Sequence, residues 1–170
     1  MPELPEVETL CRQLREVVID AKIQKATVCD AKLEPLPVLK GGIIRSVARR
    51  GKFIHMHLHD GRALRLHLRM TGRLLWQGDA LKAPTPKYSR LTIIFSNGRL
   101  DLIDPRRFAT LEIIADAADD DQSPPDPLEN FDVERLRKMA ASRMVSIKAF
   151  LMDQRVISGI GNIYACEILH

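Results

Sequence analysis

The chain has 170 residues, 45% apolar and 28% charged, which is the composition of a folded protein with room for one domain, or one domain and part of a second. No apolar run reaches the roughly 18 residues of a membrane-spanning helix and no secretory signal pattern opens the chain, so a cytoplasmic protein is expected. Cys11, Cys29 and Cys166 are far apart, against a disulfide framework or the paired cysteines of a structural zinc site. The net charge of +4 hides a strong asymmetry: residues 40–110 hold fifteen Lys or Arg and four acids, and residues 111–134 hold nine acids and no base. A basic block of this kind attracts polyanions, nucleic acid most commonly.

Leu4, Val7, Cys11, Leu14 and Val18 recur every three or four residues, which predicts an amphipathic helix from Pro2 to about Val18. Short apolar runs at Ile23–Val28 and Ile43–Val47 are expected as strands. From Lys52 the period becomes two, with Ile54, Met56 and Leu58, then Leu64, Leu66 and Leu68, flanking Asp60-Gly61; this predicts a hairpin. A second hairpin is expected around Asn97-Gly98, between Leu91, Ile93, Phe95 and Leu100, Leu102. Another strand is expected over Phe108–Ile114. Residues 1–115 therefore read as a β-sandwich or barrel with an N-terminal helix, and the acidic, Pro-rich residues 116–130 as a linker. Residues 131–170 turn helical, with Asp132 and Ser146 as N-caps for Val133–Ala140 and Ile147–Asp153, a turn at Ser158–Asn162, and a last helix over Ile163–Leu169.

The opening Met-Pro-Glu-Leu-Pro-Glu admits two readings. Its prolines and acids suit a helix start. If Met1 is removed, as a small second residue permits, Pro2 becomes a secondary amine with a pKa near 8, nucleophilic at neutral pH, with Glu3 and Glu6 placed to move protons. Lys52, after Arg49-Arg50-Gly51, is either a second positive group for phosphate or proton transfer or a solvated lysine at a strand edge. His55, His57 and His59 share a strand face, but no acid or cysteine stands at a supporting spacing for a metal. Met70 at a strand end, and Arg106, Arg107 and Phe108 on a loop, are the residue types that fill the void left by an extruded nucleotide; core packing is the other reading of Met70. Gly159-Ile160-Gly161-Asn162 before a helix aims N–H groups and an amide at a phosphate.

Taken in order, Met-Pro-Glu-Leu-Pro-Glu-Val-Glu-Thr, Arg-Arg-Gly-Lys at 49–52, Met-Thr-Gly at 70–72, Asp-Pro-Arg-Arg-Phe at 104–108 and Gly-Ile-Gly-Asn-Ile-Tyr-Ala at 159–165 resemble formamidopyrimidine-DNA glycosylase. The resemblance implies an α+β fold: a helix with an antiparallel β-sandwich, then the opening helices of a helix-two-turns-helix domain. It implies a base-excision repair enzyme that removes oxidised purines such as 8-oxoguanine and formamidopyrimidines and cleaves the strand by β-elimination, or a non-catalytic remnant of that family that binds damaged DNA. It puts the nucleophile on Pro2, the general acid on Glu3, a second carboxylate on Glu6 and the elimination-assisting lysine on Lys52. DNA-binding roles fall on Met70, Tyr88, Arg106, Phe108, Arg143, Lys148 and Asn162. The implied partner is duplex DNA with oxidised bases or abasic sites.

Two positions depart from the family pattern: Tyr88 stands where a histidine is common, and Ala109 where glycine is usual. Family members continue into a four-cysteine zinc finger with no counterpart here, so no cofactor is expected in this chain. Action on pre-formed abasic sites is expected to survive better than excision of a damaged base. Family members are monomers, and exposed apolar helix faces would favour self-association of this shorter chain.

Overall fold

The computed structural model describes residues 1–33, 39–78, 83–115, 124–129 and 131–170. Helix α1 spans Leu4–Val18 and buries Leu4, Val7, Cys11, Leu14 and Val18, the face that the spacing predicts. Glu6 closes its first turn by accepting the Glu3 N–H at 2.9 Å. Among the described residues eight strands follow: β1 Ile23–Val28, β2 Ile44–Arg50, β3 Phe53–Leu58, β4 Arg62–His67, β5 Arg73–Gln77, β6 Ser89–Phe95, β7 Gly98–Ile103 and β8 Thr110–Ala115.

They form two four-stranded sheets, ordered β1-β6-β7-β5 and β2-β3-β4-β8, with every pairing antiparallel. The expected hairpin at Asp60-Gly61 joins β3 to β4. The second hairpin turns one residue earlier than expected, because Gly98 is already paired with Phe95. A third, Gly51-Lys52 between the paired Arg50 and Phe53, joins β2 to β3. Strand β5 is absent from the sequence reading; its one exposed apolar residue, Leu75, sits between half-buried Leu74 and Trp76 in too short a run to stand out.

Between the sheets lies one core, to which Ile54, Met56, Leu58, Leu64 and Leu66 contribute from one side and Ile23, Leu91, Ile93, Phe95, Leu100 and Leu102 from the other. Helix α1 completes it along β2, where Arg15 Nε donates to the Val47 carbonyl at 2.7 Å. The opposite face of β3 and β4 carries Phe53, His55, Arg65 and His67, which form the wall of a cleft rather than a solvated surface. Arg65 lies over the Phe53 ring at 5.4 Å and His67 packs edge-on to it at 4.7 Å.

Most of the expected linker, residues 116–123 and 130, lies outside the described residues. Helix α2 is Val133–Ala141, α3 Ile147–Met152 and α4 Asn162–Leu169. Asp132 and Ser146 cap the first two as expected, accepting from Arg135 N and Ala149 N. These helices share a small core of Phe150, Leu151, Val156, Ile157, Ile160 and Ala165. Among the described residues no helix is long and apolar enough to cross a membrane. Ile54 is fully buried between the sheets, and Ile54→Ala is expected to cost about 2–5 kcal/mol in urea unfolding, through lost transfer energy and the cavity left behind.

Candidate functional site

Glu3 is 2% exposed. A buried carboxylate needs donors, and Glu3 finds three at the start of α4: Oε2 accepts from Gly161 N at 2.8 Å and Tyr164 N at 3.2 Å, and Oε1 accepts from Ile163 N at 3.0 Å. These N–H groups lack partners within the helix and sit at its positive end. Leu4 N donates to Gly159 O at 3.1 Å alongside. Glu6 holds the arrangement from outside, taking the Glu3 N–H and the Tyr164 hydroxyl at 3.1 Å. Pro2, half-buried, leads directly into this dock, and Met1 before it is exposed.

Lys52, from the turn between β2 and β3, stands beside the same carboxylate and is 8% exposed. Burial pushes its ammonium below the ordinary lysine range, and the Glu3 charge opposes that shift without cancelling it. Lys52 is thus neither a solvated edge lysine nor part of a tight ion pair. The approach requires a missing side chain: a Cβ on Gly161 would lie 2.5 Å from the Glu3 carboxyl carbon and 2.8 Å from Lys52 Nζ. Gly161, read from sequence only as part of a phosphate-facing turn, is what lets acid, amine and helix terminus converge.

From Lys52 the cleft, about 1030 Å³, runs between the sheet wall and the helical section, lined by Arg50, Phe53, His55, Arg65, His67, Arg69 and, across it, Arg135 and Gln154. His67 Nδ1 accepts from Arg69 N at 3.0 Å. Burial, then the Arg69 and Lys52 charges, push its pKa down to about 4, so it is neutral at physiological pH. His55 and His57 are buried on this sheet face while His59 is exposed, 3.9 Å from Asp20. Among the described residues no group of three or more His, Cys, Asp or Glu is placed to hold a metal. The cysteines do not fit a four-cysteine finger, since Cys11 is in the core and Cys29 and Cys166 are exposed in separate parts of the chain.

Met70 is 49% exposed in the turn after β4, and Phe108 is 45% exposed with the Arg106 guanidinium 4.7 Å above its ring. Core packing is therefore excluded for Met70. Both loops hang from Asp104, which the sequence reading quotes as part of the 104–108 motif without giving it a role. Its buried carboxylate accepts from Arg106 N at 3.2 Å, Phe108 N and Ala109 N at 2.7 Å each, and the Thr71 hydroxyl. Burial raises the Asp104 pKa, but these donors more than offset it and hold the carboxyl below its ordinary range. The two adjacent arginines separate: Arg107, at φ +59°, turns back to Asp30 at 3.0 Å, leaving Arg106 outward. Ala109 has no left-handed backbone and is buried without difficulty, so the departure from glycine leaves the loop intact.

Tyr88 is exposed at φ +64° with Lys87 Nζ 4.8 Å from its ring. Arg143 pairs with Asp153 at 2.9 Å, and the half-buried Lys148 lies 3.1 Å from Cys166 Sγ. Asn162 is exposed at the first turn of α4. The structure thus joins Glu3, Glu6, Lys52 and the approach of Pro2 in one cluster, and Met70, Arg106 and Phe108 in a second. Arg143 and Lys148 belong to neither.

Residues 1–111 match the family model described as the formamidopyrimidine-DNA glycosylase N-terminal domain, and residues 124–170 its H2TH domain. The chain is 40% identical over 185 residues to a formamidopyrimidine-DNA glycosylase of Geotalea uraniireducens and 38% identical over 184 residues to one of Moorella thermoacetica. In both alignments 99% of this chain is covered, and the chain spans 66% of the relative's length. A Lactococcus lactis formamidopyrimidine-DNA glycosylase non-covalently bound to abasic-site DNA superposes with a TM-score of 0.89 at 32% identity, covering 98% of this chain and 68% of that one. A MutM complex with DNA containing carbocyclic 8-oxo-G gives 0.90 at 33% identity, covering 99% and 67%.

Two outcomes are expected. Gly161→Ala displaces Glu3 or Lys52, and should lower stability by about 1–3 kcal/mol in denaturant unfolding as buried polar groups lose partners. The folded-state pKa of Asp104 is depressed, so its stabilisation is complete above the ordinary value of 3.8 and is lost as pH falls below it. Asp104→Asn should therefore be less stable than the parent at pH 7, and the gap should narrow by pH 3.

Proposed function

The chain belongs to the formamidopyrimidine-DNA glycosylase family, and from that premise we propose that it acts on damaged DNA, excising oxidised purines and cleaving the strand at the resulting abasic site. The observation that carries this reading is the convergence of the buried Glu3 carboxylate, which directly follows Pro2, with the buried Lys52.

Removal of the exposed Met1 leaves Pro2 as a free secondary amine. Its nitrogen attacks the sugar C1′ while the bond from C1′ to the base breaks, and Glu3, when protonated, supplies the proton the departing base needs. Opening of the sugar ring breaks the bond from C1′ to the ring oxygen, which takes up the proton that the proline nitrogen gives up, and leaves an iminium between C1′ and that nitrogen. That electron sink permits loss of a C2′ proton with expulsion of the 3′ phosphate, and water then releases the aldehyde from Pro2. Lys52, its pKa lowered by burial, is suited to carry protons during these steps. Its charge and those of Arg50 and Arg69 favour phosphate at the cleft. Met70, Arg106 and Phe108 fill the space left by the extruded nucleotide, and Asn162 binds a phosphate at the start of α4. Tyr88, Arg143 and Lys148 add contacts to the DNA; Arg143 must exchange Asp153 for phosphate to do so.

Borohydride reduction on duplex DNA with a pre-formed abasic site tests the reading, with the protein's intact mass showing that Met1 is gone. A covalent adduct mapping to Pro2 and absent in Pro2→Gly is expected; no adduct from processed, folded protein rules the amine chemistry out for this chain. Glu3→Gln should slow base excision by about 10²–10⁴-fold and affect abasic-site trapping much less.

A further inference from the structure

Arg49 is the most enclosed cation described, its side chain 0% exposed. Its guanidinium makes four hydrogen bonds to three partners: Nε donates to Glu8 on α1 at 3.0 Å, Nη1 to Asp126 at 2.5 Å and to the Gly51 carbonyl at 3.1 Å, and Nη2 to Asp126 at 2.9 Å. Glu129 adds a carboxylate at 3.6 Å. A buried ion cluster of this kind is weak evidence for stability, since apolar residues of similar volume often serve as well. What it fixes is position. The Gly51 carbonyl belongs to the peptide entering Lys52, and Gly51 itself, at φ +54°, leaves only 3.2 Å between a would-be Cβ and the Ser158 Cβ. Ser158 in turn donates N–H to the Pro125 carbonyl at 2.9 Å and its hydroxyl to Asp126 at 3.3 Å, three residues before the N–H of Gly161 that Glu3 accepts.

We propose that Arg49 and Asp126 are positioning residues that hold the Gly51-Lys52 turn against the 158–161 turn, so that docking of the helical section on the sandwich sets the place of Lys52. The inference rests on the reading of Lys52 as the elimination-assisting amine. Asp126 is the one carboxylate of the cluster that touches both sides, Arg49 from the sandwich and Ser158 from the helices. Without its charge, Arg49 retains Glu8 and the more distant Glu129 but loses the charged two-pronged partner that sets its fork across Gly51. A lysine in place of Arg49 cannot span these acceptors.

Asp126→Asn is the test, with strand cleavage measured in a single turnover at saturating protein on a pre-formed abasic site, beside duplex affinity and hydrogen exchange at residues 51–53. Cleavage should fall by about tenfold, as small misplacements of an oriented group do, with affinity changed less than about twofold and exchange at 51–53 accelerated. Asp126→Glu should restore most of the rate. Ser158→Ala, which removes the hydroxyl shared between Asp126 and the Pro125 carbonyl but leaves the Arg49 pair intact, should give the same pattern at smaller size and serves if Asp126→Asn does not fold. Parental cleavage and exchange in Asp126→Asn overturn the proposal, as does a rate loss wholly explained by weaker affinity. If the parent protein gives neither adduct nor cleavage, the functional reading fails, and exchange at 51–53 still decides whether the clamp exists.

Discussion

One buried carboxylate organises this molecule. Glu3 is withdrawn from water, and a charge in that position is tolerated only with hydrogen bonds to replace its hydration. The bonds come from the first turn of α4, whose N–H groups also need an acceptor. Each deficit satisfies the other. The contact joins Glu3, at the N-cap of α1, to residues about 160 positions away, and thereby fixes how the helical section meets the sandwich. Gly161 must lack a side chain, and Lys52 must enter from β2–β3, because the space beside the carboxylate is already taken.

The basic character of residues 40–110 is divided by the fold into two populations. Arg49, Arg90 and Arg107 are consumed by buried or half-buried carboxylates at Glu8, Asp126 and Asp30. Their fixed planar donors hold loops and strands in register, and they contribute little field outside. Arg69 and Arg106, joined by Arg135 from α2, remain at the surface near the cleft or its flanking loops. The same division separates the two arginines of the 104–108 loop, where sequence neighbours have opposite duties. Asp104 makes this possible by taking the backbone donors of the loop, so the conformation does not depend on the outward side chains.

The sandwich wall shows how a polar strand face acquires a purpose. Phe53, His55, Arg65 and His67 alternate with core residues as a half-exposed sheet requires. Coverage by the helical section turns that face into the lining of a cleft, where His67 is desolvated and kept neutral. A neutral imidazole beside Lys52 adds no positive charge to oppose the lysine's own.

Much of this was legible in the chain itself. The buried face of α1, the hairpin at Asp60-Gly61 and the caps at Asp132 and Ser146 were each set by periodicity or turn chemistry within a few residues. The motif residues at 2–9, 49–52, 70–72, 104–108 and 159–165 placed the chain in its family, because those short segments carry chemistry that tolerates few substitutes. Strand β5 was not legible, since a five-residue strand in an antiparallel sheet is defined by its partner β7 rather than by its own pattern. Nor was the buried clamp at Arg49, for an aspartate in an acidic, Pro-rich stretch looks like any other until the fold delivers it to a cation. Sequence determined the elements and the inventory of reactive groups, which depend on local order. Only tertiary structure decided which arginines are spent and which are free, and that Glu3, Lys52 and Gly161 share one site, because electrostatic pairing and steric exclusion act between atoms that the chain keeps far apart.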